Sequence, residues 1–255
     1  MDRKSETFDT KAQQARQLTH FKKLLFPSSC NLCREPLAAG QPSFCSNCVD
    51  QLPYLDQQCI RCAQPLIYSS ICPNCQKNPP NFRRCVALFD YQPPICASIM
   101  CIKRNPHAPE LKQLSLLLAD LLNTAYKDTT LPSIVIPMPL HPIKLARRGF
   151  NQSYLIARFI KSKLSNLEIL DNRCIRTYYG KPQHSKTQKQ RWRSMSGAFT
   201  MQGDSTINNQ NVALIDDVVT TGATATAATE SLLKAGVKSV DLWCIARTGW
   251  HNDSS

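Results

Sequence analysis

The chain has 255 residues, 42% of them hydrophobic, with 31 Lys and Arg against 18 Asp and Glu and a formal net charge of +13. That length buries a full α/β core with room for a small appended module. No apolar run approaches the length of a membrane span, and the polar N-terminus lacks the hydrophobic stretch of a secretory signal, which predicts a cytoplasmic protein.

Residues 1–25 are polar at the start and free of Gly and Pro, with apolar positions too sparse to specify a core face, so a mobile extension is expected. From Phe26 onward, eight of the 13 cysteines fall into four Cys-x-x-Cys pairs: Cys30 and Cys33, Cys45 and Cys48, Cys59 and Cys62, Cys72 and Cys75. This spacing lets two thiolates grip one tetrahedral ion from a tight turn. In a reducing compartment it reads as zinc binding rather than a disulfide framework. The intervals suit the short hairpins of zinc ribbons, so residues 26–80 are predicted to form a double zinc ribbon with two zinc ions. A redox role for one pair would need a βαβ setting that this segment lacks. Four thiolates per ion leave no open coordination position, so the metals are expected to be structural. Sequential pairing places Cys30, Cys33, Cys45 and Cys48 on one ion and Cys59, Cys62, Cys72 and Cys75 on the other; a crossed pairing satisfies the same spacing. Each tetrathiolate site carries a net −2, which lowers the formal charge to about +9. Cys85, Cys96, Cys101, Cys174 and Cys244 sit in apolar or mixed surroundings and are expected to be small buried hydrophobes.

Pro79 and Pro80 mark a hinge, after which residues 85–91 read as a strand. Pro93 and Pro94 open a helix that ends near residues 103–106, and Leu111, Leu114, Leu117, Leu118, Leu121 and Leu122 form the stripe of a second helix over 110–126. Residues 133–137 are the next buried strand. Pro137, Pro139 and Pro142 then fix a loop at a strand's C-terminal end, where open α/β sheets bind ligands. His141 in this loop reads as a hydrogen-bonding residue rather than an acid–base catalyst. An amphipathic helix follows, to about Leu164. Between His141 and Arg193 stand thirteen Lys and Arg against Glu168 and Asp171, which points to polyanionic ligands, either phosphates or nucleic acid. Residues 178–199 are too polar for core and are predicted to be a loop or β-ribbon. They interleave Tyr178, Tyr179 and Trp192 with Lys181, Lys186, Lys189, Arg191 and Arg193, a mixture suited to stacking on bases and contacting phosphates of a single strand. Arg147 and Arg148 extend the same basic set; a solvated loop whose aromatics pack back on the domain is the plainer alternative.

Val212–Ile215 reads as a buried parallel strand, with Asp216 and Asp217 where it ends and a helix over 225–235 beyond; a strand over 237–246 and a short tail (249–255) close the chain. The turn of Thr220, Thr221, Gly222, Ala223 and Thr224 offers free amides, hydroxyls and the positive end of a helix dipole, which together suit a phosphate. The acidic pair cannot face that same phosphate, so it serves ribose hydroxyls or a magnesium ion. The two halves describe a sugar phosphate. A strand–turn–helix in which Asp217 or Thr220 merely caps the helix is the alternative, and the full thirteen-residue string argues against it.

The string Val212–Thr224 closely resembles the phosphoribosyl pyrophosphate (PRPP) signature of type I phosphoribosyltransferases. The resemblance implies that Asp216 and Asp217 are the catalytic acidic pair on the ribose, and that Val218, Val219, Thr220, Thr221, Gly222, Ala223 and Thr224 bind PRPP around its 5-phosphate. By position, the loop over 137–142 corresponds to the pyrophosphate-binding loop, which assigns Met138, Pro139 and Leu140 to PRPP as well. Taken with the Cys-x-x-Cys module, Ile136–Pro142, Arg148–Gln152 and Gln183–Phe199 in the same order, the chain resembles the ComF family over about residues 24–248. It departs from that family's pattern at Lys186 and Ser194, where an apolar residue and Asn are expected. The resemblance implies an α/β domain over 84–248 with a mostly parallel sheet flanked by helices, an N-terminal double zinc ribbon, and PRPP bound with magnesium. It also implies a link to DNA uptake, with single-stranded DNA and a competence helicase or membrane-channel machinery as partners. Three functions are compatible with it: cytoplasmic handling of incoming single-stranded DNA, active phosphoribosyl transfer, and non-catalytic PRPP sensing. For transfer, no segment announces itself as a base-binding hood.

Overall fold

Val212–Ile215 and Val240–Ala246 are buried without interruption and form the two central strands of a parallel sheet. The computed structural model describes residues 29–37, 43–68, 70–171, 174–176, 199–201 and 205–249. Residues 1–25, the candidate nucleic-acid residues Lys181, Lys186, Lys189, Arg191, Trp192 and Arg193, and the tail beyond Gly249 lie outside the described residues. The chain divides into two compact units, Met1–Gln51 and Leu52–Ser255. The first contains the short helix α1 (Ser46–Asp50). The second begins with α2 (Pro73–Lys77) and β1 (Arg84–Asp90), then α3 (Ile95–Arg104), α4 (Pro109–Ala125), β2 (Ile134–Pro137), α5 (Pro142–Arg148) and α6 (Gln152–Lys163). It ends with β3 (Glu168–Ile169), β4 (Cys174–Arg176), β5 (Phe199–Met201), β6 (Asn211–Val219), α7 (Ala223–Lys234) and β7 (Ser239–Arg247).

The sheet runs β1-β7-β6-β2-β3 with every pairing parallel, while β4 and β5 form a separate antiparallel pair. Helix α4 packs on β1, β7 and α6, and α6 on β2 and β6; α7 contacts β5, β6 and β7. Side-chain alternation divides the sheet accordingly. Ile134, Ile136, Val212, Leu214, Val240 and Leu242 share one buried cluster with Ala225, Ala228 and Leu232 of α7. This is the expected α/β class, a parallel sheet flanked by helices. Among the described residues no helix is long and apolar enough to cross a membrane.

Topology places the ligand crevice. The chain leaves β2 through α5 and α6 toward β3, and leaves β6 through α7 toward β7, so adjacent strands β2 and β6 send their connections in opposite directions. The gap that opens at their C-terminal ends is the switch point of an open α/β sheet. Strand β6 is longer than its apolar run predicts, because Asp216 and Asp217 continue the pairing with β7 as far as Val219.

The two sheet edges are handled differently. Strand β3 has only two residues, whereas β1 is covered by the segment that precedes it. The Leu55 amide donates to Leu88 O at 3.0 Å and the Asp90 amide to Pro53 O at 2.9 Å. Gln58 completes the cover: its Nε2 donates to Ala87 O at 3.0 Å and its Oε1 accepts from the Ala87 amide at 3.2 Å. A side-chain amide thus satisfies both main-chain groups of one edge residue.

One buried polar network ties β1 and β7 to α4. Arg83 grips Asp241 through Nε at 2.8 Å and Nη2 at 2.5 Å; the Tyr126 hydroxyl donates to Asp241 Oδ2 at 2.6 Å and accepts from Trp243 Nε1 at 2.9 Å. Burial, then the Asp241 charge, holds the Tyr126 phenol well above its ordinary value. The pair is asymmetric, since Asp241 is 1% exposed and the Arg83 side chain 40%. Arg83→Met strands a buried carboxylate and should cost about 3 kcal/mol. Asp241→Asn leaves an arginine that turns to water and should cost about 1–2 kcal/mol. Urea denaturation of both variants checks this order; equal losses would contradict it.

Candidate functional site: two tetrathiolate groups and a charged crevice

The eight paired cysteines form two groups with sequential pairing. The sulfurs of Cys30, Cys33, Cys45 and Cys48 lie within 4.8 Å of one another, as do those of Cys59, Cys62, Cys72 and Cys75. Separations of 3.7 Å, Cys33 to Cys45 and Cys62 to Cys72, match the edge of about 3.8 Å that a tetrahedron of Zn–S bonds near 2.3 Å requires. The two groups repeat one local design. In each, the first Cys donates its amide to a carbonyl five residues on at 2.8 Å, in a turn whose fifth residue, Arg34 or Ala63, has φ of 69° or 55°. The third Cys of each group, Cys45 or Cys72, caps a short helix and donates its amide to the first Cys sulfur at 3.4 or 3.3 Å. Burial alone would raise the Cys59 thiol, but amides of Cys72, Cys62 and Arg61 outweigh it and bring it down to about 7. The donor set therefore fits zinc, held as thiolate, with Cys filling every position.

At the crevice, Asp217 is 4% exposed and its carboxylate pairs with Lys103 Nζ at 3.1 Å, from the last turn of α3. Asp216 faces α6: its Oδ1 accepts from Ser153 Oγ at 3.2 Å and from the Asp217 amide at 2.9 Å. Burial, then the neighbouring charge of Asp217, pushes the Asp216 carboxyl up to about 7 despite these donors and Lys103. Ser153 is fully buried and fixed by the cap of α6, where its amide donates to Asn151 Oδ1 at 3.0 Å. Asn151 in turn donates through Nδ2 to Met138 O at 3.1 Å, while the Met138 amide donates to Ile215 O at 2.8 Å. Both main-chain groups of Met138 are thus engaged and its side chain is buried, which leaves Pro139 and Leu140 as the accessible part of that loop.

The turn after β6 reaches α7 through Gly222, whose φ of 77° lies in the left-handed region that side chains disfavour. The Ala223 amide donates to Thr221 Oγ1 at 3.4 Å. Among the described residues the amides of Thr224 and Ala225 have no partner, as expected of a first helical turn, and a cavity of about 40 Å³ opens there between Asp216 and Thr224. Cations crowd the other side. Partial desolvation, then the charges of Arg176, Arg148 and Lys103, lower the Lys144 ammonium, a sign of positive groups gathered without enough anions. Arg176 on β4 lies within the field of Asp216.

Beside the crevice a cleft of about 550 Å³ runs along Pro139, Leu140, Phe150, Asn151, Tyr154 and Arg176. Pro142 and Leu145 of its apolar wall come from α5, a seven-residue helix that the sequence pattern missed because it is so short and starts at a proline. His141 caps this helix, its Nδ1 accepting from the Ile143 amide at 3.2 Å. Arg147 is exposed, while Arg148 is half-buried and donates to Gln152 Oε1. Asp216 lines the small cavity with Val218, Val219, Thr220, Gly222, Ala223 and Thr224, whereas Asp217 pairs with Lys103, and Pro139 and Leu140 line the neighbouring cleft beyond β2. Lys103, Ser153 and Arg176 join them without a local signal in sequence, since each acts across the fold. Of the five unpaired cysteines, Cys85, Cys174 and Cys244 are buried as expected, Cys96 is half-buried, and Cys101 is exposed on the outer side of α3.

Comparison with known proteins places the chain among relatives. A double zinc ribbon domain model matches residues 21–76. The DNA utilization protein YhgH of Shigella flexneri is 33% identical over 230 residues, covering 88% of this chain and 99% of that protein. Competence protein F of Haemophilus influenzae is 30% identical over 233 residues, covering 87% and 98% respectively. Among solved structures, the chain is similar to a purine phosphoribosyltransferase from Pyrococcus horikoshii, at 19% identity and a TM-score of 0.35, over 56% of this chain and 75% of that one. Two tetrathiolate groups ahead of a parallel sheet, and this identity along nearly the whole length of its relatives, place the chain in the ComF family of competence protein F and YhgH.

Proposed function

We propose that the crevice between β2 and β6 binds PRPP with magnesium, and that the protein uses this site in competence-related DNA utilization, handling incoming single-stranded DNA in the cytoplasm. The observation that carries the reading is one carboxylate, Asp216, lining the cavity at the 220–224 turn, with the Lys103 and Arg176 charges acting on it and Lys144 and Arg148 beyond them. Cations suit a diphosphate, the 220–224 turn suits a terminal phosphate, and a lone carboxylate among them suits ribose hydroxyls or an oxygen-ligated metal. Asp217 is held back by Lys103 and orients the strand end. Magnesium, bound with the diphosphate, would supply charge neutralisation; Asp216 would accept from the ribose. The relatives' names, DNA utilization protein and competence protein, support the wider role. A competence helicase or membrane-channel machinery is the corresponding protein partner.

Transfer from PRPP is the second reading, favoured by the 550 Å³ cleft whose lining includes Arg176, which the Asp216 charge acts on. Its proline, leucine and aromatic wall suits a flat acceptor, and Asp216 would stabilise positive charge developing on the ribose. Release of pyrophosphate with any nucleobase or amine would favour transfer over sensing.

Calorimetric titration of the zinc-loaded protein with PRPP, with and without magnesium, tests the site. Asp216→Asn should weaken binding about 10- to 100-fold; unchanged affinity would remove Asp216 from the site. A carboxyl held up to about 7 keeps its proton longer in the folded chain than in the unfolded one. Its contribution to stability is therefore full below the ordinary carboxylate range and lost as pH rises through about 7. Ligands that need the ionised form must displace that proton. Affinity in magnesium should thus rise between pH 6 and 8 and level off above, and Asp216→Asn should flatten the profile; a wild-type profile identical to the variant's would contradict this.

The DNA-handling part predicts steep salt dependence for a labelled single-stranded oligonucleotide, with a slope near −0.7 per phosphate neutralised. Arg147→Ala should reduce that slope by about 0.7 and weaken binding equally for all sequences. Binding indifferent to salt would exclude the basic surface as a DNA site.

A further inference from the structure

Arg247, the last residue of β7, is 4% exposed, and its four hydrogen bonds all go to main-chain carbonyls. Its Nε donates to Cys62 O at 2.9 Å, inside the turn of the second tetrathiolate group. Its Nη1 donates to Val219 O at 3.2 Å, to Thr220 O, and to Thr248 O at 2.8 Å. No carboxylate among the described residues is ion-paired with it. One rigid guanidinium therefore joins the metal turn to the start of the 220–224 turn. A cavity of about 40 Å³, room for about one water, lies between them against Cys62, Cys75, Phe82, Thr221 and Gly222.

Two physical consequences follow. A trans peptide is planar, so drawing the Val219 and Thr220 carbonyls onto Arg247 turns the Thr220 and Thr221 amides the opposite way, away from the guanidinium. A buried guanidinium that meets only carbonyls also needs opposite charge nearby, and a zinc tetrathiolate built on Cys59, Cys62, Cys72 and Cys75 carries a net −2. Loss of the metal, with the freed thiolates taking up protons, removes that charge and frees the Cys62 turn, which is the other anchor of Arg247.

We propose that Arg247 is a positioning residue that couples zinc occupancy of the second tetrathiolate group to the conformation of the 220–224 turn. The turn's ligand, PRPP, rests on the reading above; the mechanical link does not. Because coupling is reciprocal, a ligand on the turn holds zinc in that group, and zinc in that group strengthens the ligand.

The test strips zinc stepwise from the full chain with a chelator. Thiol alkylation reports which cysteines have lost metal, and amide hydrogen exchange follows residues 219–224 in the absence of PRPP. Exchange in the turn should rise about tenfold as Cys59, Cys62, Cys72 and Cys75 become reactive, while β6 residues 212–215 and β7 stay protected. Arg247→Lys keeps the charge but loses the planar fork, so its turn should exchange at the faster rate with zinc still bound. In a second arm, PRPP should slow zinc loss from that group about tenfold in the wild type and leave Arg247→Lys unaffected. A turn indifferent to zinc loss overturns the proposal, as does loss of protection throughout both strands, which would mean global unfolding. A zinc-loaded wild type that binds no PRPP defeats the ligand reading alone, because the first arm still decides the coupling. If Arg247→Lys does not fold, wild-type stripping decides it.

Discussion

Two carboxylates side by side at the end of a buried strand repel, and the rest of the crevice is arranged around containing that repulsion. Lys103 takes one of them, at 3.1 Å, in a place where Asp217 is shut off from water. Ser153 and a main-chain amide take the other only in part, so Asp216 keeps its proton to about 7. The strand end is thus balanced between a paired charge and a latent one. Helix α3 must end, and α6 must begin, where they do for Lys103 and Ser153 to reach it, which connects the site to helix ends set by packing and capping away from the chemistry.

The tetrathiolate groups solve a different problem. A ribbon of some twenty residues has too little apolar surface to hold itself together, and a metal bound by four thiolates supplies the missing free energy, about 10–16 kcal/mol in comparable peptides. The local design appears twice, with equivalent turns at Arg34 and Ala63 and equivalent capped helices after Cys45 and Cys72. The second copy has a further attachment, because Gln58 and Arg61 bond directly to β1 and to the residue before it. Its turn carbonyl also receives Arg247.

Local signals carried much of this. The apolar runs at 133–137, 212–215 and 237–246, the Leu stripe after Glu110 and the Cys spacing each encode an element over a short window, and each is found. Asp216 and Asp217 were legible as the end of an apolar run, though the strand itself goes on to Val219, because pairing with β7 does not depend on hydrophobicity. Helix α5 was hidden by its brevity and its proline start, and Cys101 by a helix whose buried face is carried by Ile95, Ile99 and Ile102 instead. Lys103, Ser153 and Arg247 had no local signature at all. Their partners at the site, Asp217, Asp216 and Val219, lie more than 25 residues away, and only the strand order brings them together.

The way β1 is covered bears on how this chain tolerates shortening. Seven residues of edge strand, five of them buried, would present unpaired main-chain groups to any other extended chain once the segment from Pro53 to Gln58 is gone. A natural or engineered start after Gln58 would therefore leave an edge open to pairing with other extended chains. The second ribbon, beyond holding metal, is what keeps the sheet to itself.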